Sequence, residues 1–366
     1  MKVVQLLPDL DGGGVERGTL EVAQALVDAG HESVVISAGG GMVKQLEAEG
    51  SRHVTWDLGT KSLWTFRHIW SLRRWLKEEQ PDILHVRSRL PAWVAWLAWK
   101  GMDPATRPRL VTTVHGLYSV SRYSAVMCRG ERVIAVSKTV ENYIRENYPD
   151  TDMNNVRRVY RGIDPAEFPL NYQPSAEWLA QWQQDFPQLV GKQVITLAGR
   201  LTRLKGHNDL IDMIKALVEQ GKPVHALIVG GEDAKRKAYA QELYARVKEE
   251  GLSEHITFTG ARSDIRDIYA VSDLVLSLST KPESFGRTVA EAIGQGVPVV
   301  GYDHGGVGEI LAALYPQGRT PMRDVPALIQ TVTEVLESGI RPQGNDRFLK
   351  TTMLAQTLAV YEELLA

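Results

Sequence analysis

The sequence predicts an α/β protein of two doubly wound domains in series, and three observations carry that expectation. Short apolar runs alternate with helical patterns along most of the 366 residues, which implies mostly parallel sheets with helices on both faces. A chain of that length exceeds what one hydrophobic core usually serves. The alternation also breaks once, from Pro165 to about Lys192, where the text turns to Pro, Gln and Trp, and then restarts. The expected division is residues 1–170 and 171–344, with a final helix at 345–366 joining the first domain.

In the first half, strands are expected at Val3–Leu7, Val34–Ser37, Val54–Asp57, Ile83–Val86, Leu110–Val114, Val133–Val136 and Val156–Tyr160. The first runs into Pro8-Asp9-Leu10-Asp11-Gly12-Gly13-Gly14 and a helix from about Val15 to Ala29. Strand, glycine loop and helix suit an anion, because glycine lets backbone amides approach it closely. A dinucleotide fingerprint needs G-x-G-x-x-G, and here the third position is Arg17. The second strand meets Ala38-Gly39-Gly40-Gly41 without the acid that would hold a ribose, so a dehydrogenase is disfavoured. Asp9 and Asp11 have no neighbouring His or carboxylate to make a metal site and read as turn residues.

Other strand ends carry Arg87-Ser88-Arg89, His115-Gly116, Ser137-Lys138 and Arg161-Gly162-Ile163-Asp164. His115 fits either a capping histidine at the core edge or a functional one. Arg87 and Arg89 fit either exposed loop arginines or contacts for an acidic or phosphorylated acceptor. Two tryptophan-rich stretches stand out: Leu63 to Trp75, with Trp64, Phe66 and Trp70 among Arg67, Arg73 and Arg74, and a helix with Trp93, Trp96 and Trp99 before Lys100. Packing on the sheet explains an apolar stripe; a basic-aromatic face for an anionic membrane or lipid-linked acceptor is the alternative.

The second half restarts with strands expected at Val194–Leu197, His225–Val229, Ile256–Thr259, Leu274–Leu278 and Val297–Val300. After the first of these comes Gly199-Arg200-Leu201-Thr202-Arg203-Leu204-Lys205-Gly206. After the fourth comes a loop with Glu283, Phe285 and Gly286, then a helix that carries Arg287 and Glu291. In an open α/β sheet, ligands bind at the carboxyl ends of strands. Carboxylates there suit sugar hydroxyls, and helix-start amides suit phosphate. A guanidinium and an ammonium suit a diphosphate whose charge builds as it leaves. The bland accounts are a solvated loop acid, an Arg287–Glu291 pair in the weaker i,i+4 order, and a solvated basic loop.

Composition narrows the rest. A formal net charge of −2 disfavours nucleic acid as the main partner. A single cysteine, Cys128, excludes an internal disulfide and a cysteine-based zinc site, and fits a reducing compartment. Gln5 and Asp9 interrupt the first apolar run, so no signal peptide is expected, and no stretch reaches membrane-span length.

Taken together, these motifs resemble the retaining nucleotide-sugar glycosyltransferases of family 4. The matching pieces are Gly12-Gly13-Gly14-Val15-Glu16, His115-Gly116, Ser137, Gly162-Ile163-Asp164, Gly199-Arg200 with Lys205-Gly206, Glu283 and Glu291 around Phe285-Gly286, and Gly305-Gly306 with Glu309. The resemblance implies a GT-B fold, two Rossmann-like domains facing across a cleft, the first on the acceptor side and the second holding the donor. It implies that Arg200 and Lys205 neutralise the donor diphosphate, Glu291 holds the ribose, and Glu283 meets the transferred sugar beside Phe285, Gly286 and Arg287. His115 would face the sugar, Gly13 and Gly14 the phosphates, and Arg262 and Ser263 the base. Glu16 joins Arg87 and Arg89 as an acceptor-side candidate.

By that resemblance the protein needs no cofactor or bound metal, only a nucleotide-diphosphate sugar, with UDP the expected nucleotide. The partners would be that nucleotide sugar and a glycan or lipid-linked acceptor of cell-envelope polysaccharide or lipopolysaccharide, in the cytoplasm and in peripheral contact with the inner membrane face. A non-catalytic sugar-nucleotide binder and a GT-B epimerase are the alternatives. Two departures stand out: Arg161 where the family usually has Asn, and Lys281 before Pro282.

Overall fold

A computed structural model describes residues 1–232 and 237–366. It divides into two compact units, Met1–Arg161 with Thr351–Ala366, and Gly162–Lys350.

The first unit runs β1 (Lys2–Leu6), α1 (Gly14–Asp28), β2 (Glu32–Ser37), α2 (Val43–Ala48), β3 (Arg52–Thr55), α3 (His68–Glu79), β4 (Ile83–Val86), α4 (Arg89–Lys100), β5 (Arg109–Val114), β6 (Arg132–Ala135), α5 (Lys138–Asn147) and β7 (Val156–Arg158). The strands form one seven-stranded sheet in the order β3-β2-β1-β4-β5-β6-β7, and all pairs are parallel. Their apolar residues face two cores, as expected of strands covered on both sides. On one face Val4, Leu84 and Leu110 pack with Leu72 and Leu76 of α3 and Val94 and Ala98 of α4. On the other, Val3, Ile83 and Val111 pack with Val22 and Leu26 of α1.

The second unit runs α6 (Ala176–Asp185), β8 (Gln193–Ala198), α7 (His207–Glu219), β9 (Val224–Val229), α8 (Lys237–Glu249), β10 (Ile256–Gly260), α9 (Ile265–Ala270), β11 (Leu274–Ser277), α10 (Arg287–Gly294), β12 (Val299–Tyr302), α11 (Gly305–Leu314), β13 (Arg319–Thr320) and α12 (Val325–Ser338). Its parallel sheet has the order β10-β9-β8-β11-β12-β13. The doubly wound reading therefore holds in both units.

Three details differ from the sequence reading. The chain leaves the first unit at Arg161 and not at 170, because Ile163 bridges to Leu349 and the two crossing segments run side by side. The interval Pro165–Lys192, read as a junction, contains α6, whose Trp182 packs with Val194, Leu227 and Ile268. The edge strand β13 was not foreseen, since two residues present no apolar run.

The last helix, α13 (Lys350–Leu365), places Met353, Val360, Tyr361 and Leu364 in the first unit's core. Tyr361 hydrogen-bonds His85 at 2.6 Å, and Glu363 pairs with Arg132 and Arg157. Among the described residues, no helix is long and apolar enough to cross a membrane.

Candidate active site

Strand order fixes where each unit can hold a ligand. In a doubly wound sheet the crevice opens where the order reverses, between strands whose following loops diverge. In the second unit that point lies between β8 and β11. The two loops leaving it carry Arg200 with Lys205, and Glu283.

Those loops are held against each other by backbone. The Thr280 amide donates to the Leu204 carbonyl at 2.8 Å. Gly206 adopts φ +73°, and a Cβ there would lie 2.2 Å from the Leu278 carbonyl oxygen, so only glycine lets the two loops close up. On the other side, the Gly306 amide donates to the Glu283 carbonyl at 2.8 Å, pinning the loop to the start of α11.

The side chains converge accordingly. Lys205 Nζ donates to Glu283 Oε1 at 2.6 Å, and the Ser279 hydroxyl donates to the same oxygen. Burial alone would push the Glu283 carboxyl up. The Lys205 ammonium, the Ser279 hydroxyl and nearby His304 outweigh it and hold the group below the ordinary glutamate value. His304 is oriented by the Ser279 carbonyl, 2.7 Å from its Nε2. Arg200 is exposed, and among the described residues it forms no ion pair. The loops thus present one neutralised cation–carboxylate pair and one open guanidinium.

Glu291 is 6% exposed on α10, with its Oε1 accepting from Arg287 Nε at 2.7 Å. Beside it lies the fully buried Tyr269, whose hydroxyl has no hydrogen-bond partner among the described residues. The Phe285 ring is buried edge-on against Phe348, 5.8 Å between centroids, so that side chain serves packing. Gly286 caps α10 in the left-handed conformation, and the opening amides of such a helix have no acceptor within it. Arg262 is forked onto Asp264, and Asp264 also accepts from Trp178 Nε1 at 2.8 Å, so the Asp264 carboxylate fastens the loop after β10 to α6. Ser263 beside it is exposed.

In the first unit the order reverses between β1 and β4. The loop after β1 ends at the exposed Gly13, and the exposed Gly14 opens α1, with Glu16 in its first turn. After β4 comes Arg87, which is no exposed loop arginine: it is 4% exposed and its Nε donates to Gln5 Oε1 at 2.8 Å. Burial lowers its pKa. Arg89 lies over the Tyr118 and Tyr123 rings at 4.8 and 5.5 Å. His115 follows β5, with Arg161 Nη2 at 2.8 Å from its Nδ1. Burial first, then the charges of Arg161 and Arg87, hold its pKa well below the ordinary histidine value.

The tryptophan stretches part company. In α4, Trp99 is buried and donates to the Pro108 carbonyl, Trp93 donates to the Tyr123 carbonyl, and Arg129 covers Trp96. Packing accounts for that helix. Trp64 and Trp70, by contrast, are 76% and 65% exposed.

Ser279, His304, Tyr269 and Arg161 belong to these neighbourhoods and were not singled out as site residues. Only Arg161 carried a signal in sequence, as a departure from the expected residue.

Two open-sheet units with polar clusters at their reversal points define a GT-B type of protein, and comparison with known proteins agrees. The family model described as Glycosyltransferase Family 4 matches residues 12–167, and the one described as Glycosyl transferases group 1 matches residues 180–347. The crystal structure of a glycosyltransferase from Rickettsia africae is similar over 100% of this chain and 98% of that one, with TM-score 0.87 and 27% identity. Anabaena Alr3699/HepE in complex with UDP shares the fold at TM-score 0.82 and 21% identity, over 99% and 100% of the two chains. Spore coat protein SA of Bacillus subtilis is 22% identical over 313 residues, 83% of this chain and 80% of that protein. Several other curated relatives match this chain over only 26% to 59% of their own length. The chain belongs to glycosyltransferase family 4.

Proposed function

We propose that this protein is a retaining, hexosyltransferase-like glycosyltransferase that moves a sugar from a nucleotide diphosphate, UDP, to a glycan or lipid-linked acceptor of the cell envelope. The observation that carries the reading is the second unit's crevice, where exposed Arg200 shares a loop with Lys205 and Lys205 pairs with Glu283 of the facing loop. Arg200 and Lys205 would bind the diphosphate and gain strength as negative charge accumulates on it, which is where fixed cations accelerate a reaction. They supply this without a metal.

Glu291 accepts from the ribose hydroxyls, and the carboxylate of Glu283, kept ionised, accepts from hydroxyls of the transferred sugar. The amides of Gly286 and Arg287 at the start of α10 bind phosphate or sugar oxygens. Ser263 and the backbone beside Arg262 meet the base. In the first unit, taken by itself, the proposed substrate contacts are His115 and the Gly13-Gly14 loop, with Arg87, Arg89 and Glu16 as acceptor-side candidates.

Retention by double displacement needs a second carboxylate about 5 Å from the first, whereas the side-chain partners of Glu283 among the described residues are Lys205 and Ser279. Same-face attack, with the departing phosphate taking the acceptor proton, fits the groups better. A complex of HepE with UDP-glucose supports UDP as the nucleotide.

The protein would work in the cytoplasm against the inner membrane face. Exposed Trp64 and Trp70 among exposed Lys61, Arg67, Arg74 and Lys77 support that contact. The deciding experiment is a thermal-shift panel of UDP-, GDP- and ADP-sugars, followed by nucleotide release on adding acceptor. Donor binding raises apparent stability by mass action. Binding without release would make the protein a sugar-nucleotide binder, and no shift with any donor would refute the reading.

A further inference from the structure

The histidine after β5 is held by a residue that sequence reasoning marked only as a departure. Arg161 spans two loops of the first unit: Nη2 meets His115 Nδ1 at 2.8 Å, and Nη1 donates to the Gly14 carbonyl at 2.9 Å. A guanidinium carries only donors. His115 Nδ1 must therefore accept, and the proton of the neutral ring must sit on Nε2. That Nε2 is buried and has no hydrogen-bond partner among the described residues. Gly14 leaves the space for this bridge, since a Cβ there would come 3.0 Å from Arg161 Nη1.

From this geometry we propose that Arg161 is a positioning residue that fixes His115 as a neutral Nε2–H donor, aimed at an oxygen of the bound substrate, and ties it to the glycine loop after β1. The inference rests on the transferase reading only for what the donor meets. Its core concerns the ring itself: His115 binds and does not shuttle protons.

The surroundings favour the same state. The charged and titratable groups around the ring are Arg161, the buried Arg87 of the loop after β4, and His85 of β4. Tyr118, whose hydroxyl oxygen accepts from the His115 amide at 3.2 Å, completes the set. Two guanidiniums oppose a third positive charge on the ring, and Glu21 acts on Arg87.

The test begins without substrate or mutation of Arg161. Two-bond proton–nitrogen spectra of the full chain, labelled with nitrogen-15 in histidine and assigned with His115→Asn, report the tautomer and its titration. The expected result is an Nε2–H ring unchanged between pH 5 and 8. An Nδ1–H ring, or a midpoint inside that range, overturns the proposal. In Arg161→Leu the Nδ1 acceptor loses its donor, so the Nδ1–H tautomer should appear beside Nε2–H in the same spectra, while burial and Arg87 still keep the ring neutral.

With UDP-glucose as probe, nucleotide release by Arg161→Leu should fall about twofold or more at each pH from 5.5 to 7.5, because only rings that still carry Nε2–H can donate. A variant whose ring stays wholly in the Nε2–H form would show that Arg161 has no such role. Because the spectra require no turnover, their outcome is separate from whether UDP-glucose is the donor.

Discussion

Removing the Lys205 ammonium is the most direct probe of the second unit's crevice. In Lys205→Met, Glu283 keeps the Ser279 hydroxyl but loses the charge-assisted bond of 2.6 Å. Such bonds contribute about 1.5–3 kcal/mol. The two side chains are 30% and 24% exposed, so solvent screening trims this to about 1–2 kcal/mol. For a unit of this size the melting point should drop by roughly 3–6 °C at pH 7.

The pH dependence has a definite sign. The folded pKa of Glu283 lies below its unfolded value, so the pair stabilises the protein above about pH 4.3 and the contribution fades as pH falls through the folded pKa. The gap between wild type and variant should thus be widest at pH 7 and close progressively below pH 4. Urea unfolding of wild type, Lys205→Met, Glu283→Gln and the double variant completes a cycle at each pH. A coupling energy within about 0.3 kcal/mol of zero at pH 7, or one that does not shrink between pH 4 and the lowest pH at which the protein stays folded, would refute the assignment.

Other outcomes follow from the same geometry. Gly206→Ala combines a left-handed φ with a carbonyl contact at 2.2 Å, so it should lose more than about 1 kcal/mol and shift the Glu283 loop, read by unfolding and by loss of donor binding. Glu363 is held down at about 2 by hydrogen bonds from Arg157 and Arg132 and is partly exposed. Glu363→Gln should therefore cost under about 1 kcal/mol near pH 7, and the difference from wild type should fade as pH falls through that value. Trp64→Ala with Trp70→Ala should reduce cosedimentation with vesicles containing phosphatidylglycerol at low salt while leaving the melting point unchanged, because both rings are exposed. Equal pelleting of the variant and wild type would remove those rings from any membrane contact.

The sequence by itself determined the repeated strand–helix alternation, its interruption near the middle, and the loops that carry charge. Each of these is a local property: side-chain period sets the element, and glycine or a polar residue ends it. Parallel order then placed Arg200, Lys205 and Glu283 at the carboxyl end of one sheet, much as the motif spacing implied.

Which cation meets Glu283 was decided only by the fold, because the close approach at Gly206 brings Lys205 to that carboxylate and leaves Arg200 outside the pair. Likewise Arg161 finds a histidine 46 residues away, and of two tryptophan-rich stretches one is consumed by packing. Contacts of that kind depend on strand order, register and how closely loops can approach. No local pattern of residues encodes them.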